Sequence, residues 1–112
     1  MQLLTGKTAI VTGGSKGIGE AIVRKLAEHG ADVVFTYQSN EIKAKQVEEA
    51  CNELGRKCAA IKSDASSFEE SAALIDFVIN HYQKIDILVN NAGITKDNLL
   101  LRMSEEQWDE VS

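Results

Sequence analysis

Short apolar runs alternate along the chain with longer stretches in which apolar positions recur every three or four residues. Residues 7–12 (KTAIVT) form an apolar run ended by glycines, which suits a strand buried on both faces. From Gly17 onward, Ile18, Ala21, Ile22, Lys25 and Leu26 recur at helical spacing, and Gly30 closes the segment as a helix C-terminal glycine does. Residues 32–37 (DVVFTY) are β-branched and aromatic. After Ser39 and Asn40, the positions Ala44, Val47, Ala50, Cys51 and Leu54 share one helical face, and Gly55 ends it. Residues 57–64 (KCAAIKSD) read as a third strand. Ser67 and Glu70 then make a capping-box pattern ahead of Phe68, Ala72, Ile75, Val78, Ile79 and Tyr82. Residues 85–89, inside IDILVNNAG, give a fourth strand, nearly all apolar and expected in the sheet interior. Ser104 and Gln107 offer a second capping box leading to Trp108 and Val111.

Strands alternating with helices of similar length predict βαβ units, hence an open α/β sheet of parallel strands with right-handed crossovers and helices on both faces. With 112 residues and no linker-like composition shift, residues 1–112 are expected to belong to a single domain. A hydrophobic content of 44% argues against disorder, and a net charge of −5 gives no electrostatic footprint for nucleic acid or an anionic membrane. No apolar run approaches the roughly 20 residues of a membrane span, and no secretory signal pattern opens the chain, so a cytoplasmic setting is expected. Cys51 and Cys58 lack CxxC spacing and a nearby histidine set, so they read as ordinary reduced thiols and no metal is expected. His29 and His81 read as surface residues near helix ends.

The chemistry is concentrated in TGGSKGIG, residues 12–19, where a strand hands over to a helix. Gly13 can turn the chain sharply, Gly17 lets backbone approach a ligand, and Gly19 permits close packing of helix on strand. Free N–H groups at the helix start, at the positive end of its dipole, then suit a pyrophosphate. A nucleoside-triphosphate P-loop is disfavoured, because Lys16 is followed by Gly17 instead of Ser or Thr.

This spacing resembles the TGxxxGxG motif of the short-chain dehydrogenase/reductase family. NNAG, residues 90–93, resembles the family's second cofactor-side signature, and SDAS, residues 63–66, falls where the family has an acid facing adenine. The resemblance covers essentially the whole chain and implies a Rossmann-type doubly wound parallel sheet. It places Gly13, Gly14, Ser15, Lys16, Gly17, Ile18 and Gly19 against pyrophosphate and ribose, Asp64 and Ala65 beside adenine, and Asn91, Ala92 and Gly93 along the ribose toward nicotinamide. Asn90 is expected to tie the fourth strand to its neighbour. The second strand ends in Thr36, Tyr37, Gln38 and Ser39, with no carboxylate for a ribose 2′-hydroxyl, and Lys16 is cationic. These features favour NADP(H) over NAD(H), with Gln38 and Ser39 offering neutral hydrogen bonds to the 2′-phosphate.

NNAGITKDNLLLRMSEEQWDEV is similar to bacterial 3-oxoacyl-acyl-carrier-protein reductases. That similarity implies NADPH-dependent reduction of 3-oxoacyl-acyl-carrier-protein to the 3-hydroxyacyl form in fatty-acid biosynthesis, by a cytoplasmic homotetramer. Another short-chain reductase acting on a small ketone, or a non-catalytic dinucleotide-binding module, stands as the alternative. The family's catalytic asparagine, serine and YxxxK follow the WDEV stretch, and Tyr37 and Tyr82 have Glu41 and Asp86 where that lysine belongs. The chain is therefore expected to be the cofactor-binding part of a longer enzyme, carrying no catalytic residue and inactive alone.

Overall fold

Four parallel strands, β1 (Thr8–Thr12), β2 (Asp32–Tyr37), β3 (Ala59–Lys62) and β4 (Ile87–Asn90), form one sheet in the order β3-β2-β1-β4. Three helices, α1 (Gly17–Glu28), α2 (Glu41–Asn52) and α3 (Phe68–Tyr82), connect them. The computed structural model describes residues 3–14, 17–64 and 66–91. Within these residues the expected α/β architecture is present, and the expected fourth helix lies outside them. No helix among the described residues is long and apolar enough to cross a membrane.

Strand side chains alternate between two cores, which is why β1 is buried at every position. Ala9, Val11, Val33 and Phe35 point to one face and meet Val23 and Ala27 of α1 and Ala44, Val47 and Cys51 of α2. Ile10 and Val34 point to the other and meet Leu74, Ile75 and Val78 of α3. Each fully buried Val or Phe contributes roughly 1.5–3 kcal/mol relative to exposure, so β1 and β2 are the rigid centre of the described sheet. Cys51 and Cys58 are free, buried thiols in the first of these cores.

The apolar face of α1 differs from the expected one. Its buried residues are Gly19, Val23 and Ala27, whereas Ile18 is 73% exposed and Ala21 is also exposed. Small residues at i, i+4, i+8 let the helix axis approach the sheet, and the larger Ile22 and Leu26 fill the flanks of that contact. Leu54 and Phe68, expected on buried faces, are exposed, because each lies at a helix end beyond the sheet's reach. β3 and β4 are shorter than the apolar runs that suggested them. All four residues of β4 are half-buried instead of fully interior, and among the described strands only β1 pairs with it.

Helix starts follow local side-chain chemistry. Asn40 caps α2 by accepting from the Lys43 N–H at 3.0 Å, and Ser67 caps α3 by accepting from the Glu70 N–H at 3.2 Å. The mixed-sign surface of α2 joins α1 through Lys43, whose ammonium lies 3.4 Å from Glu20.

The edge at the strand N-termini is fastened by Asp86. Its carboxylate accepts from the Thr8 N–H at 2.8 Å, its own N–H donates to the Thr8 carbonyl at 2.8 Å, and Lys84 lies 3.0 Å away. Partial burial alone would raise the Asp86 carboxyl, but the Thr8 N–H and then Lys84 outweigh it and hold the group below its ordinary range. Asp86→Ala leaves the buried Thr8 N–H without its acceptor and is expected to cost about 1–3 kcal/mol in urea unfolding at pH 7. Because the folded group titrates below its unfolded value near 4, that cost is fully present above about pH 4. It fades as pH falls through the depressed folded value, and a cost unchanged into acid would refute the assignment.

Candidate functional site

Every described residue assigned a cofactor role lies at or just beyond the C-terminal end of a strand, apart from Gly17, Ile18 and Gly19 at the start of α1. From β1 the chain builds outward through β2 to β3, then returns to place β4 on the other side of β1. The reversal falls between β1 and β4, where Thr12 pairs in register with Asn90. A crevice at such a reversal is where open parallel sheets bind ligands.

The glycine turn is built into this crevice by its neighbours. Gly13 has φ +71° and Gly17 has φ +62°, left-handed conformations that a side chain strains. The Gly13 N–H donates to the Thr36 hydroxyl at 3.0 Å and the Gly14 N–H to the Thr36 carbonyl at 2.9 Å. The Gly13 carbonyl accepts from the Asn91 side-chain amide at 3.1 Å. Both N–H groups at the front of the turn are thus occupied within the protein. Among the described residues, the backbone donors left for an anion are in the first turn of α1, at Gly17, Ile18 and Gly19, whose N–H groups have no acceptor four residues back within the helix.

Glycine is required at two of these positions for steric reasons. A Cβ on Gly19 would lie 1.9 Å from the Gly13 carbonyl oxygen and 2.6 Å from the Asn91 amide nitrogen. A Cβ on Gly14 would lie 2.7 Å from both Phe35 and Val23, inside the core. A Cβ on Gly17 would meet no atom of the described residues within 4 Å, so among them the space beside that backbone is open. This cradle fits a dinucleotide pyrophosphate: bare backbone, a helix N-terminus and an open approach coincide at Gly17.

A second cluster joins the ends of β2 and β3. The Gln38 amide donates to Asp64 Oδ1 at 3.1 Å, and the same oxygen accepts from the Ser66 N–H at 2.9 Å and the Ser66 hydroxyl at 2.7 Å. These donors, Ser66 first, hold the Asp64 carboxyl below its ordinary range, so it is ionised at neutral pH. Among the described residues none donates to Oδ2. Ser39 is exposed between β2 and α2. Lys43, the cation in the first turn of α2, is engaged by Glu20; burial alone would raise that carboxyl, but Arg24 and Lys43 hold it down.

The structure therefore brings Gly13, Gly19 and Asn91 together at the crevice and ties Gln38 to Asp64 beside it. Ser15, Lys16, Ala65, Ala92 and Gly93 lie outside the described residues. Asn90 accepts from the Thr12 hydroxyl at 3.0 Å, joining β4 to β1 as its position suggested. Sequence reasoning missed Thr36, Ser66 and Glu70, whose carboxylate accepts from the Asp64 N–H at 2.6 Å. A threonine next to the C-terminal end of β2, the strand paired in parallel with β1, was the available signal for Thr36. Among the described residues no cluster of His, Cys, Asp or Glu is arranged to hold a metal ion.

A glycine turn opening onto α1 at the reversal of a doubly wound parallel sheet defines a Rossmann-type dinucleotide-binding unit. The chain belongs to the short chain dehydrogenase family, whose model matches residues 7–112. It is 44% identical over 105 residues to the 3-oxoacyl-[acyl-carrier-protein] reductase FabG of Staphylococcus epidermidis, an alignment covering 94% of this chain and 43% of that protein. It is 42% identical to the short-chain dehydrogenase/reductase FrzI of Cladobotryum sp, covering 96% of this chain and 42% of that one. A metagenomic short-chain oxidoreductase solved in complex with NADP superposes with a TM-score of 0.84 at 32% identity, covering 93% of this chain and 57% of that chain. The chain thus spans less than half the length of these two curated relatives.

Thr36 tests how far the turn depends on its clamp. Thr36→Val keeps the β-branched shape but leaves the Gly13 N–H without its acceptor, at an expected cost of about 1–3 kcal/mol in urea unfolding. Dinucleotide affinity, measured by fluorescence titration, is expected to fall as well, since the turn loses its register on β2. Unchanged stability and affinity would show that the hydroxyl is dispensable.

Proposed function

We propose that this chain supplies the cofactor-binding part of a cytoplasmic, homotetrameric, NADPH-dependent reductase that converts 3-oxoacyl-acyl-carrier-protein to the 3-hydroxyacyl form. The observation that carries the cofactor reading is the reversal of strand order between β1 and β4. There the glycine turn is locked by Thr36 and Asn91, with open space beside Gly17. The NADP-bound structural neighbour supports the choice of cofactor, and the Staphylococcus epidermidis relative supports the choice of substrate.

In this reading the first-turn N–H groups of α1 bind the pyrophosphate, and Lys16 with Ser39 meets the 2′-phosphate. Asp64 Oδ2 accepts from the adenine amino group, with Ala65 beside it. Asn91, Ala92 and Gly93 border the ribose toward nicotinamide. Bound NADPH supplies the hydride that reduces the 3-oxo carbon. Gln38 has one amide donor committed to Asp64, so at most its remaining hydrogen-bonding groups serve the phosphate. In this reading Lys16 makes the charge-assisted contact to the phosphate, while Lys43 pairs with Glu20.

The Cladobotryum relative, nearly as similar as the Staphylococcus one and named only as a short-chain dehydrogenase/reductase, leaves room for a second reading in which a related reductase acts on a small ketone. NADPH oxidation by the full-length protein separates the two. Rapid turnover of an acetoacetyl thioester is expected, whereas rapid turnover of a free ketone with a poor thioester rate would favour the second reading. NADPH binding without turnover of either would indicate a cofactor-binding module.

Lys16→Ala is expected to lower NADPH affinity roughly tenfold or more, the scale of a charge-assisted hydrogen bond, while NADH affinity stays within about twofold. An unchanged NADPH-to-NADH affinity ratio would remove Lys16 from the 2′-phosphate site.

A further inference from the structure

We propose that Glu70 is the positioning residue for the adenine-side carboxylate, fixing the Asp64 backbone so that Oδ2 faces the exocyclic amino group of adenine. This inference rests on the dinucleotide reading above and adds to it a residue from α3.

Asp64 sits past the end of β3, where the strand ladder no longer orients it. The last backbone tie to the sheet is the Ser63 N–H, which donates to the Tyr37 carbonyl at 3.0 Å. Beyond it, the orientation of Asp64 is set by side chains and by the start of α3. Glu70 Oε1 accepts from the Asp64 N–H at 2.6 Å, and the Asp64 carbonyl accepts from the Ser67 N–H at 2.9 Å. Gln38 and Ser66 fill Oδ1. Among the described residues, Oδ2 is thus the one acceptor on Asp64 left for a ligand.

The direction of the Glu70 side chain is informative. In a capping box the third helical residue reaches back to the N–H of the cap residue, and Ser67 and Glu70 have the sequence for it. Only one leg forms here, from the Glu70 N–H to the Ser67 hydroxyl at 3.2 Å. The Ser67 N–H is already taken by Asp64, and the Glu70 carboxylate goes instead to the Asp64 N–H, three residues before the cap. An acid in the first helical turn gains from the dipole wherever it points within that turn, so helix stability does not require this choice. What the choice adds is a charge-assisted bond from the body of α3 to the residue that carries the adenine acceptor.

The test compares NADPH with its hypoxanthine analogue, in which a carbonyl oxygen replaces the adenine amino group. Dissociation constants are read by fluorescence titration of the full chain. The unsubstituted protein is expected to prefer NADPH by about tenfold or more, the loss of one hydrogen bond to a charged acceptor. In Glu70→Ala that preference is expected to collapse to within about threefold, through weaker NADPH binding with the analogue little changed. Glu70→Gln keeps an acceptor oxygen of the same reach and is expected to restore the preference. Glu70→Asp retains the first-turn charge but falls one methylene short, so it is expected to behave like the alanine variant while α3 remains stable by circular dichroism. Retention of the full preference in both Glu70→Ala and Glu70→Asp would overturn the inference alone. Absence of any preference in the unsubstituted protein would overturn the Asp64 assignment, and this inference with it, before any variant is made.

Discussion

The closest approach in the site is that of α1 to the end of β1, at Gly19. The position a Cβ would take there is only 1.9 Å from the Gly13 carbonyl oxygen, so helix and turn touch backbone to backbone. That contact sets the direction of α1, and with it the direction in which the first-turn N–H groups point. Gly19, Val23 and Ala27 continue the same seam down the helix, each small enough or suitably shaped to keep the axis near the sheet. The glycine turn is therefore shaped from both sides, by the packing of α1 behind it and by Thr36 and Asn91 in front. A cofactor would meet a surface already ordered by these contacts, which lowers the entropic cost of binding.

The two edges of the sheet divide the work. At the edge of strand N-termini the polar contacts are short-range fasteners: Asp86 with Thr8, Asp32 with the Lys57 N–H at 2.8 Å, and Lys84 with the Gly6 carbonyl. Lys57 adds a bond to the His81 carbonyl at 2.7 Å, with its ammonium over the Tyr82 ring. At the opposite edge the contacts instead orient groups toward the strand C-termini, and among the described residues backbone donors of α1 and the Asp64 Oδ2 remain for a ligand. Parallel strands bring every strand C-terminus to that one edge, which is why four separate connections can contribute to a single site.

The strands and helices were legible because β-branched runs and helical spacing are local signals. Residues 32–37 matched β2 at both ends for that reason. The face of α1 was misread because hydropathy ranks Ile18 above Gly19 and Ala27, whereas close packing selects the small residues and exposes the isoleucine. The glycine turn and NNAG were legible as motifs, but their mutual lock was not. Asn91 reaches Gly13 across 78 positions of sequence, and no local pattern encodes that pairing. Glu70 carried a misleading local signal: its spacing from Ser67 announces a capping box, and only the tertiary position of Asp64 redirects the carboxylate.

Cofactor preference follows from how the charges around β2 are already spent. An acid at the end of β2 would select a ribose 2′-hydroxyl, and residues 37–39 provide none. Asp64, one strand farther out, is an ionised carboxylate beside Gln38 whose Oδ1 accepts from three donors. Lys43 starts α2 close to Ser39 in sequence, and its ammonium is paired with Glu20, a carboxylate that Arg24 also holds. Lys16 is the one cation in the sequence of the glycine turn. In the proposed reading such a site accepts a 2′-phosphate because residues 37–39 carry no carboxylate to repel it, and Lys16 favours it through one charge. On the proposed assignment the preference for NADPH rests on a single lysine instead of being spread over an arginine cluster.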